Sequence, residues 1–221
     1  MTATRNVPVL HRIWLGGPIP DVYNHFDRFD RLHPHWELKL WGDDDLDGWQ
    51  VSPLLRRADE LAPANDRVRW KVDILRLAVL DRYGGVYVDC DTSPHRPLDP
   101  LLDQAAFVAQ SPNDLSKATN AVMGATPNHP YIQALIDGLE ARCEQHPGGR
   151  VVRTVGGFWL TDLLPNFPDV QMLPWWLFAG QAIRDRNRGN RRDPRNAAEG
   201  FVDHTYQNSA RRSARKRRRT S

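Results

Sequence analysis

The segment Arg69–Asp91 constrains the fold of this chain more than any other part of the sequence. Apolar residues recur at helical spacing and predict an amphipathic helix that begins at Asn65 or Asp66 and ends near Tyr83. A double glycine stops this helix, and the apolar run from Val86 to Cys90 predicts a buried strand directly after it. The helix is expected to bury the face formed by Val68, Val72, Leu75 and Val79.

Strands and helices alternate along the chain, so the sequence predicts an α/β sandwich around a mixed, largely parallel sheet. Val170–Phe178 contains Pro174 and is expected at the edge of this sheet, because proline cannot donate to a central ladder. The charged residues 184–200 are expected to form a loop. The other predicted elements include strands at Val7–Leu15, Trp36–Trp41, Ala105–Ala109 and Ala121–Gly124, and helices at Val22–Leu32 and Tyr131–Glu144.

Two aspartates one residue apart, Asp89 and Asp91, close the predicted strand. Residues two apart on a strand face the same way, so both carboxylates share one side with Tyr87. Two unpaired carboxylates this close repel each other, and a divalent cation such as Mg²⁺ or Mn²⁺ removes the repulsion. The pattern therefore predicts metal-assisted chemistry on a phosphorylated small molecule. A solvated turn at the end of the strand is the alternative.

Asp73 and Arg76 lie three residues apart and share one face of the predicted helix. Because this helix leads directly into the Asp-x-Asp strand, both side chains can reach the same pocket. A carboxylate that accepts sugar hydroxyls beside a guanidinium suits a site for a polyol phosphate. A surface ion pair is the alternative explanation of the same spacing.

The stretch Trp70–Asp91 resembles the sugar-binding, DxD-containing region of the toxin-type, capsular-polysaccharide and Och1-like sugar transferases of glycosyltransferase family 32. Val9–Gly17 resembles the opening strand of the same family, and two motifs in the right order are more specific than either alone. The resemblance implies a GT-A-type fold, in which a Rossmann-like sheet binds a nucleotide-sugar. It also implies a single catalytic domain over residues 1–210.

The resemblance further implies a role for each matched residue. Trp14 would stack on the nucleobase of the donor, and Asp91 would ligate Mn²⁺ or Mg²⁺ directly. Asp89 would hydrogen-bond hydroxyls of the ribose or the sugar. Three more residues would contact the donor sugar: Asp73, Arg76 and Asn120.

The end of the predicted domain matches the family only in part. His204 and Ser209 keep the spacing of a histidine and a serine that help to close over the metal and the diphosphate, so both are predicted on the metal side. Ala210 stands where the family has a tryptophan, which removes a ring from the closing contact. Thr154–Gly157 departs from the family's Thr-Gly-Pro and is assigned no role.

The resemblance implies a metal-dependent, retaining glycosyltransferase that moves a hexose from a UDP- or GDP-sugar to a glycan, lipid or natural-product acceptor. Two alternatives stay open. A haloacid-dehalogenase-type phosphatase would use Asp89 as nucleophile and Asp91 as general acid, and would need a downstream lysine, of which only Lys117 and Lys216 are present. A pseudoenzyme would bind the donor without transferring the sugar.

The basic character of the chain belongs to its tail. Residues 211–221 carry seven positive charges and no negative one, so removing them from the net charge of +3 leaves −4 for the rest. This tail is expected to be disordered and to contact an anionic membrane surface, where lipid-linked acceptors reside. It lacks interleaved aromatic residues, so no specific nucleic-acid partner is expected.

Cysteine use and hydropathy predict the compartment. Cys90 and Cys143 have neither disulfide-framework nor metal-ligand spacing, which favours a reducing environment. The sequence has no apolar run of membrane-spanning length and no signal-peptide core. The expectation is therefore a bacterial, cytoplasmic enzyme with peripheral contact at the inner membrane face.

Overall fold

The computed structural model describes residues 6–180 and 193–204. The strands in these residues are, in chain order, β1 Val9–Ile13, β2 Glu37–Trp41, β3 Gly85–Val88, β4 Thr92–Pro94, β5 Ala106–Ser111, β6 Asp114–Ala125, β7 Val170–Leu173 and β8 Val202–His204. Six of them form a central sheet in the order β2-β1-β3-β6-β5-β7. The remaining two, β4 and β8, pair with each other in a small second sheet.

The central sheet is mixed, as predicted. β1 pairs in parallel with β2 and with β3, and β5 pairs in parallel with β7. β6 runs antiparallel to both β3 and β5. Because β1 and β3 are parallel neighbours, their carboxyl ends meet at one edge of the sheet, which is where open α/β sheets bind ligands.

Helices and turns cover both faces of the central sheet. One face packs against long and short helices through residues such as Leu75, Ile132 and Leu160, and the other packs against Phe29 and Leu101. Among the described residues, no helix is both long and apolar enough to cross a bilayer. The helices are α1 Phe26–Leu32, α2 Ser52–Arg56, α3 Ala58–Leu61, α4 Arg67–Tyr83, α5 Pro130–Asp137, α6 Leu139–Gln145, α7 Val151–Thr154, α8 Gly157–Leu163 and α9 Pro194–Glu199.

Helix α4 confirms the predicted helix before the Asp-x-Asp motif. Its predicted buried face is wrong at Val68, which is 51% exposed in the first turn. Burial begins at Trp70, which is 1% exposed and fills the core position at this end of the helix. Leu75 and Val79 are fully buried, as expected.

Two predicted elements differ from the structure. The helix predicted over Tyr131–Glu144 is broken at Gly138, where a Cβ atom would lie 2.5 Å from the Trp159 ring. The segment predicted as a loop contains α9, which is capped by the Asp193 side chain accepting from the Arg195 N–H. The edge position of β7 is confirmed, and Pro174 directly follows this strand.

A close approach between β1 and β3 requires glycine at position 85. Gly85 has φ +89°, and a Cβ atom there would lie 2.3 Å from the Val9 carbonyl oxygen. The Asn6 side chain holds the same residue by accepting from the Gly85 N–H (2.8 Å) and donating to its carbonyl (3.1 Å). The double glycine therefore ends α4 and also seats β3 against β1.

Candidate active site

The Asp-x-Asp motif lies in a turn at the carboxyl end of β3. The strand ends at Val88, so its predicted continuation through Cys90 is wrong. The Asp89 N–H donates to the Ala121 carbonyl (2.8 Å), and the Asp89 carbonyl accepts from the Thr92 hydroxyl (2.6 Å). These contacts fix the turn, so the carboxylates are brought together by the turn rather than by the alternation of a strand.

Asp89, Asp91 and His204 form an acidic cluster at this turn. The His204 Nε2 atom lies 2.8 Å from Asp91 Oδ1 and 3.7 Å from Asp89 Oδ2. One ligand atom from each of the three residues lies within 4.8 Å of the others. The antiparallel pairing of β4 with β8 places His204 opposite Thr92, directly after the motif. The topology thus brings a distant histidine to the two aspartates.

The acidic cluster fits a divalent cation. Carboxylate oxygens suit Mg²⁺ and Mn²⁺, and an imidazole nitrogen completes a set of three protein ligands. Asp91 and His204 are buried, whereas the Asp89 side chain is 27% exposed, so the cluster has one open side at which phosphate oxygens can bind. Ser209, the other residue predicted on the metal side, and Ala210 lie outside the described residues.

Asp73, Arg76 and Asn120 form a second group, which we call the Arg76 cluster. The buried Arg76 guanidinium lies 2.6 Å from Asp73 Oδ1 and 3.3 Å from Asp89 Oδ1. It also donates to the Asn120 carbonyl. The Tyr87 ring lies 4.4 Å from the Arg76 Cζ atom, and the Tyr87 hydroxyl donates to Asp89 Oδ1 at 2.9 Å. Asp89 therefore belongs to both clusters and joins them.

Burial raises the pKa of Asp73, the carboxylate of the Arg76 cluster, to about 6. The nearby charge of Asp89 adds to this rise. Arg76 and the Asn120 side chain act in the opposite direction by favouring the carboxylate. The Asn120 Nδ2 atom is nevertheless buried without a hydrogen-bond partner of good geometry among the described residues. Asn120 thus offers a donor, and Asp73 an acceptor, at one wall of the site.

Trp14 lies at the same sheet edge as the acidic cluster. It directly follows β1, which runs parallel to β3, so it lies at the edge where β3 ends and the Asp-x-Asp turn begins. Its half-buried ring packs against the Tyr23 ring, with centroids 5.2 Å apart. The structure therefore brings together every predicted site residue that it describes: Trp14, Asp73, Arg76, Asp89, Asp91, Asn120 and His204.

Two polar residues near this edge have structural roles. Burial raises the pKa of the Cys90 thiol to about 11, so this cysteine is protonated and unreactive at neutral pH. Its Sγ atom donates to the Ile13 carbonyl. Burial lowers the pKa of His11 to about 4, and its ring bonds the Gly84 carbonyl and the Trp41 indole.

The pair Gly156–Gly157 at the start of α8 leaves room for Asp73 and for β6, although the sequence alone gave no role to Thr154–Gly157. A Cβ atom at Gly157 would lie 2.3 Å from the Ala118 carbonyl oxygen, so α8 packs closely against β6 only with glycine there. A Cβ atom at Gly156 would lie 3.2 Å from Asp73 Oδ2. A glycine pair at the start of an apolar helix is the signal that points to such an approach.

The fold and the two joined clusters define a class of protein: the GT-A-type glycosyltransferase fold with an acidic motif at the edge of its sheet. Residues 21–108 match the family described as a glycosyltransferase sugar-binding region containing a DXD motif. Over these residues, which include α4, β3 and the Asp-x-Asp turn, the chain is similar to the sugar-binding region of the DXD-containing glycosyltransferases.

Relatives and solved structures agree with this placement. Inositol phosphoceramide mannosyltransferase 1 of Schizosaccharomyces pombe is 30% identical to this chain over 138 residues. The matched part makes up 59% of this chain and 42% of that protein. The PaToxG glycosyltransferase has the same fold (TM-score 0.56, 19% identity, 74% of this chain and 71% of that one). So does the galactosyltransferase LgtC (TM-score 0.53, 11% identity, 89% of this chain and 86% of that one).

The relatives also bear on how far the likeness extends. This chain spans about two fifths of the length of the first curated relatives that it matches. These relatives come from yeasts, so the bacterial origin expected from the sequence has no support among them.

Proposed function

We propose that this protein is a glycosyltransferase that moves a sugar from a nucleoside-diphosphate-sugar to a hydroxyl group of an acceptor. One observation carries the proposal: Asp89 joins the acidic cluster to the Arg76 cluster. A cation site for a diphosphate and a hydroxyl-binding carboxylate–guanidinium pair therefore meet at one residue. In a nucleotide-sugar, the diphosphate and the sugar likewise meet at one bond, and this is the bond that a glycosyltransferase breaks.

The donor would lie along the sheet edge. Trp14 would stack on the nucleobase, and Asp89, Asp91 and His204 would hold Mn²⁺ or Mg²⁺ beside the diphosphate. Asp73 accepts a hydroxyl of the donor sugar. The Arg76 guanidinium orients the Asp73 and Asp89 carboxylates around that sugar. When bound, a divalent cation supplies positive charge that stabilises the leaving nucleoside diphosphate.

We further propose transfer with retention of the anomeric configuration. The bond between the anomeric carbon and the diphosphate oxygen breaks, and the acceptor oxygen bonds to the same face of that carbon. The proton of the acceptor hydroxyl goes to the departing phosphate oxygen. The resembled family supports this course. NMR of the product anomer tests it, and an inverted product would contradict it.

The phosphatase alternative fits the site less well. It requires a lysine beside the nucleophilic aspartate, whereas the cation beside Asp89 is Arg76. Of the two candidate lysines, Lys117 lies over the Phe158 ring and Lys216 lies outside the described residues. In addition, one Asp89 oxygen already accepts from the Tyr87 hydroxyl.

Slow hydrolysis of a panel of UDP- and GDP-sugars, with Mn²⁺ or with EDTA, tests the proposed function. GDP-mannose belongs in the panel because the names of curated relatives include mannosyltransferase. Release of one nucleoside diphosphate with Mn²⁺ and not with EDTA is the expected result. Binding of a donor without any release, even with acceptors, would favour the pseudoenzyme. Release of phosphate from a generic phosphomonoester would favour the phosphatase.

Donor binding is expected to weaken below pH 6 through Asp73. Its pKa of about 6 means that about nine tenths of the folded protein carries the neutral acid at pH 5, which accepts a sugar hydroxyl poorly. Calorimetry at pH 7 and pH 5 should show about a tenfold larger loss of affinity for the nucleotide-sugar in the wild type than in Asp73→Asn, which has no carboxyl group at this position. The variant keeps the titration of the metal side and of the ligand, so the comparison isolates Asp73. An equal loss in both proteins would contradict the role of Asp73.

A shallow pocket beside the acidic cluster offers a place for the acceptor. Its lining includes His204, Gln110, Thr119 and Trp175. An aromatic ring beside an amide and a hydroxyl suits a sugar or another polyol ring. We propose that this pocket binds the acceptor ring, which agrees with a relative whose printed name includes inositol phosphoceramide.

Trp175→Ala should raise the KM for the acceptor about fivefold, because the lost ring contact is of order 1 kcal/mol. Donor hydrolysis without acceptor should not change. The neighbouring Trp176 is not part of the pocket lining and stacks with Arg195, so Trp176→Ala is the matched control. Equal acceptor KM values for the two variants would exclude the pocket as the acceptor site.

A further inference from the structure

Arg12 lies in β1 and has no exposed surface. Among the described residues, no carboxylate lies within ion-pair distance of its guanidinium. A buried guanidinium is unfavourable unless neighbouring groups replace its water. The groups around Arg12 therefore indicate its role in the folded protein. The sequence alone assigns this residue no role.

Two carbonyl groups and two rings surround the Arg12 charge. Its Nη2 atom donates to the Cys90 carbonyl (2.6 Å) and to the Tyr23 carbonyl (2.9 Å). The rings of Phe26 and Phe29 have centroids 4.8 and 5.4 Å from its Cζ atom, within the range of cation–π attraction. Its Nε and Nη1 atoms have no hydrogen-bond partner among the described residues. The Nη2 atom thus makes both of these hydrogen bonds.

The two carbonyls belong to opposite ends of the proposed donor site. Cys90 is the middle residue of the Asp-x-Asp turn, between the two aspartates of the acidic cluster. Tyr23 packs its ring against Trp14, the residue proposed to stack on the nucleobase. Arg12 therefore ties the turn at the diphosphate end to the backbone at the nucleobase end.

The charge of Arg12 also acts on the acidic cluster. Burial lowers the pKa of its guanidinium, and the nearby negative charges of Asp91 and Asp89 oppose this change. Arg12 meets the turn from its backbone side, through the Cys90 carbonyl, and leaves the open side of the cluster free for phosphate oxygens.

We propose that Arg12 is a positioning residue that fixes the spacing between the Trp14–Tyr23 ring pair and the Asp89–Asp91 turn. The inference rests on the proposed function, since only a nucleotide donor occupies both ends at once. A ligand that spans both ends requires the fixed spacing. A ligand that binds only at the acidic cluster does not.

Arg12→Met is expected to weaken binding of Mn²⁺ with UDP or GDP by ten- to a hundredfold. Binding of Mn²⁺ with pyrophosphate should stay within about threefold of wild type, because the groups of the acidic cluster are all retained. Calorimetry measures both, and neither readout depends on turnover. Arg57→Met is the matched control and should change neither constant, because among the described residues Arg57 forms ion pairs only with surface glutamates such as Glu60 and Glu140.

Arg12→Lys covers the case in which the methionine variant does not fold. Lysine keeps the charge, but it is shorter than arginine and lacks the planar group that lies over the Phe26 and Phe29 rings, so nucleotide binding should weaken at least threefold and pyrophosphate binding should not. Equal losses for both ligands, or no loss for either, would overturn the proposal. If the wild-type protein binds pyrophosphate with Mn²⁺ but no nucleoside diphosphate, the proposed function fails instead.

Discussion

Asp91→Asn is expected to lower donor turnover about a thousandfold and to leave the fold intact. Asp91 is buried, and its carboxylate lies 2.8 Å from His204, so it is central to the acidic cluster. The amide has the same shape but lacks the charge that holds a divalent cation. Loss of that cation removes several kcal/mol of transition-state stabilisation, and about 4 kcal/mol corresponds to the stated factor. Steady-state kinetics with saturating Mn²⁺ measures the loss.

Asp47→Asn is the matched control for this prediction. It makes the same chemical change on an aspartate whose side chain is 84% exposed and whose one ion-pair partner in the described part of the chain is the exposed Arg56. Its turnover should equal that of the wild type. If Asp91→Asn also keeps wild-type turnover while circular dichroism shows a native fold, Asp91 does not act in metal-dependent transfer.

Arg76→Met is expected to lower the free energy of unfolding by about 3–5 kcal/mol at pH 8, because it leaves buried negative charge without its partner. Arg76 is 3% exposed and pairs with Asp73 and Asp89. Arg56→Met removes an exposed partner of Asp47 and should cost less than 1 kcal/mol. Urea unfolding of both variants gives the comparison.

The loss caused by Arg76→Met should be smaller at pH 5 than at pH 8. Burial raises the pKa of Asp73 to about 6 even beside Arg76, and the pKa rises further when the guanidinium is removed. A carboxyl whose folded pKa exceeds its unfolded value binds more protons when folded, so its favourable contribution is present in acid and is lost as pH rises. Adding Asp73→Asn to Arg76→Met should recover part of the loss at pH 8. Equal losses at both pH values would contradict this account.

The local part of the site was predictable because its residues are close in sequence. Asp73 and Arg76 share a helix face that leads directly into the strand before Asp89 and Asp91. Helical spacing and the double glycine therefore fix their approximate positions without knowledge of the rest of the fold. The carboxylates nevertheless come together through a turn that the pattern read as strand. Local periodicity does not encode the hydrogen bond from Asp89 to Ala121 that stops the strand.

The remaining features depend on partners far along the chain. Arg12 is a site residue only because the Cys90 and Tyr23 carbonyls meet its guanidinium. Gly157 matters because β6 passes 2.3 Å from where its side chain would lie. Gly138, where the predicted helix is broken, likewise lies against the Trp159 ring, 2.5 Å from where its Cβ atom would be. None of these contacts leaves a periodic signal, so tertiary structure is needed to find them.

Direct measurement of Mn²⁺ binding tests the central claim, that Asp89, Asp91 and His204 hold a divalent cation for a nucleoside diphosphate. Paramagnetic resonance of free Mn²⁺, titrated with the protein and UDP or GDP, counts bound ions without any turnover. The account predicts one bound Mn²⁺ per chain in the presence of the nucleotide, and none with Asp91→Asn. Equal Mn²⁺ binding by the wild type and Asp91→Asn, or no binding by the wild type with either nucleotide, would contradict it.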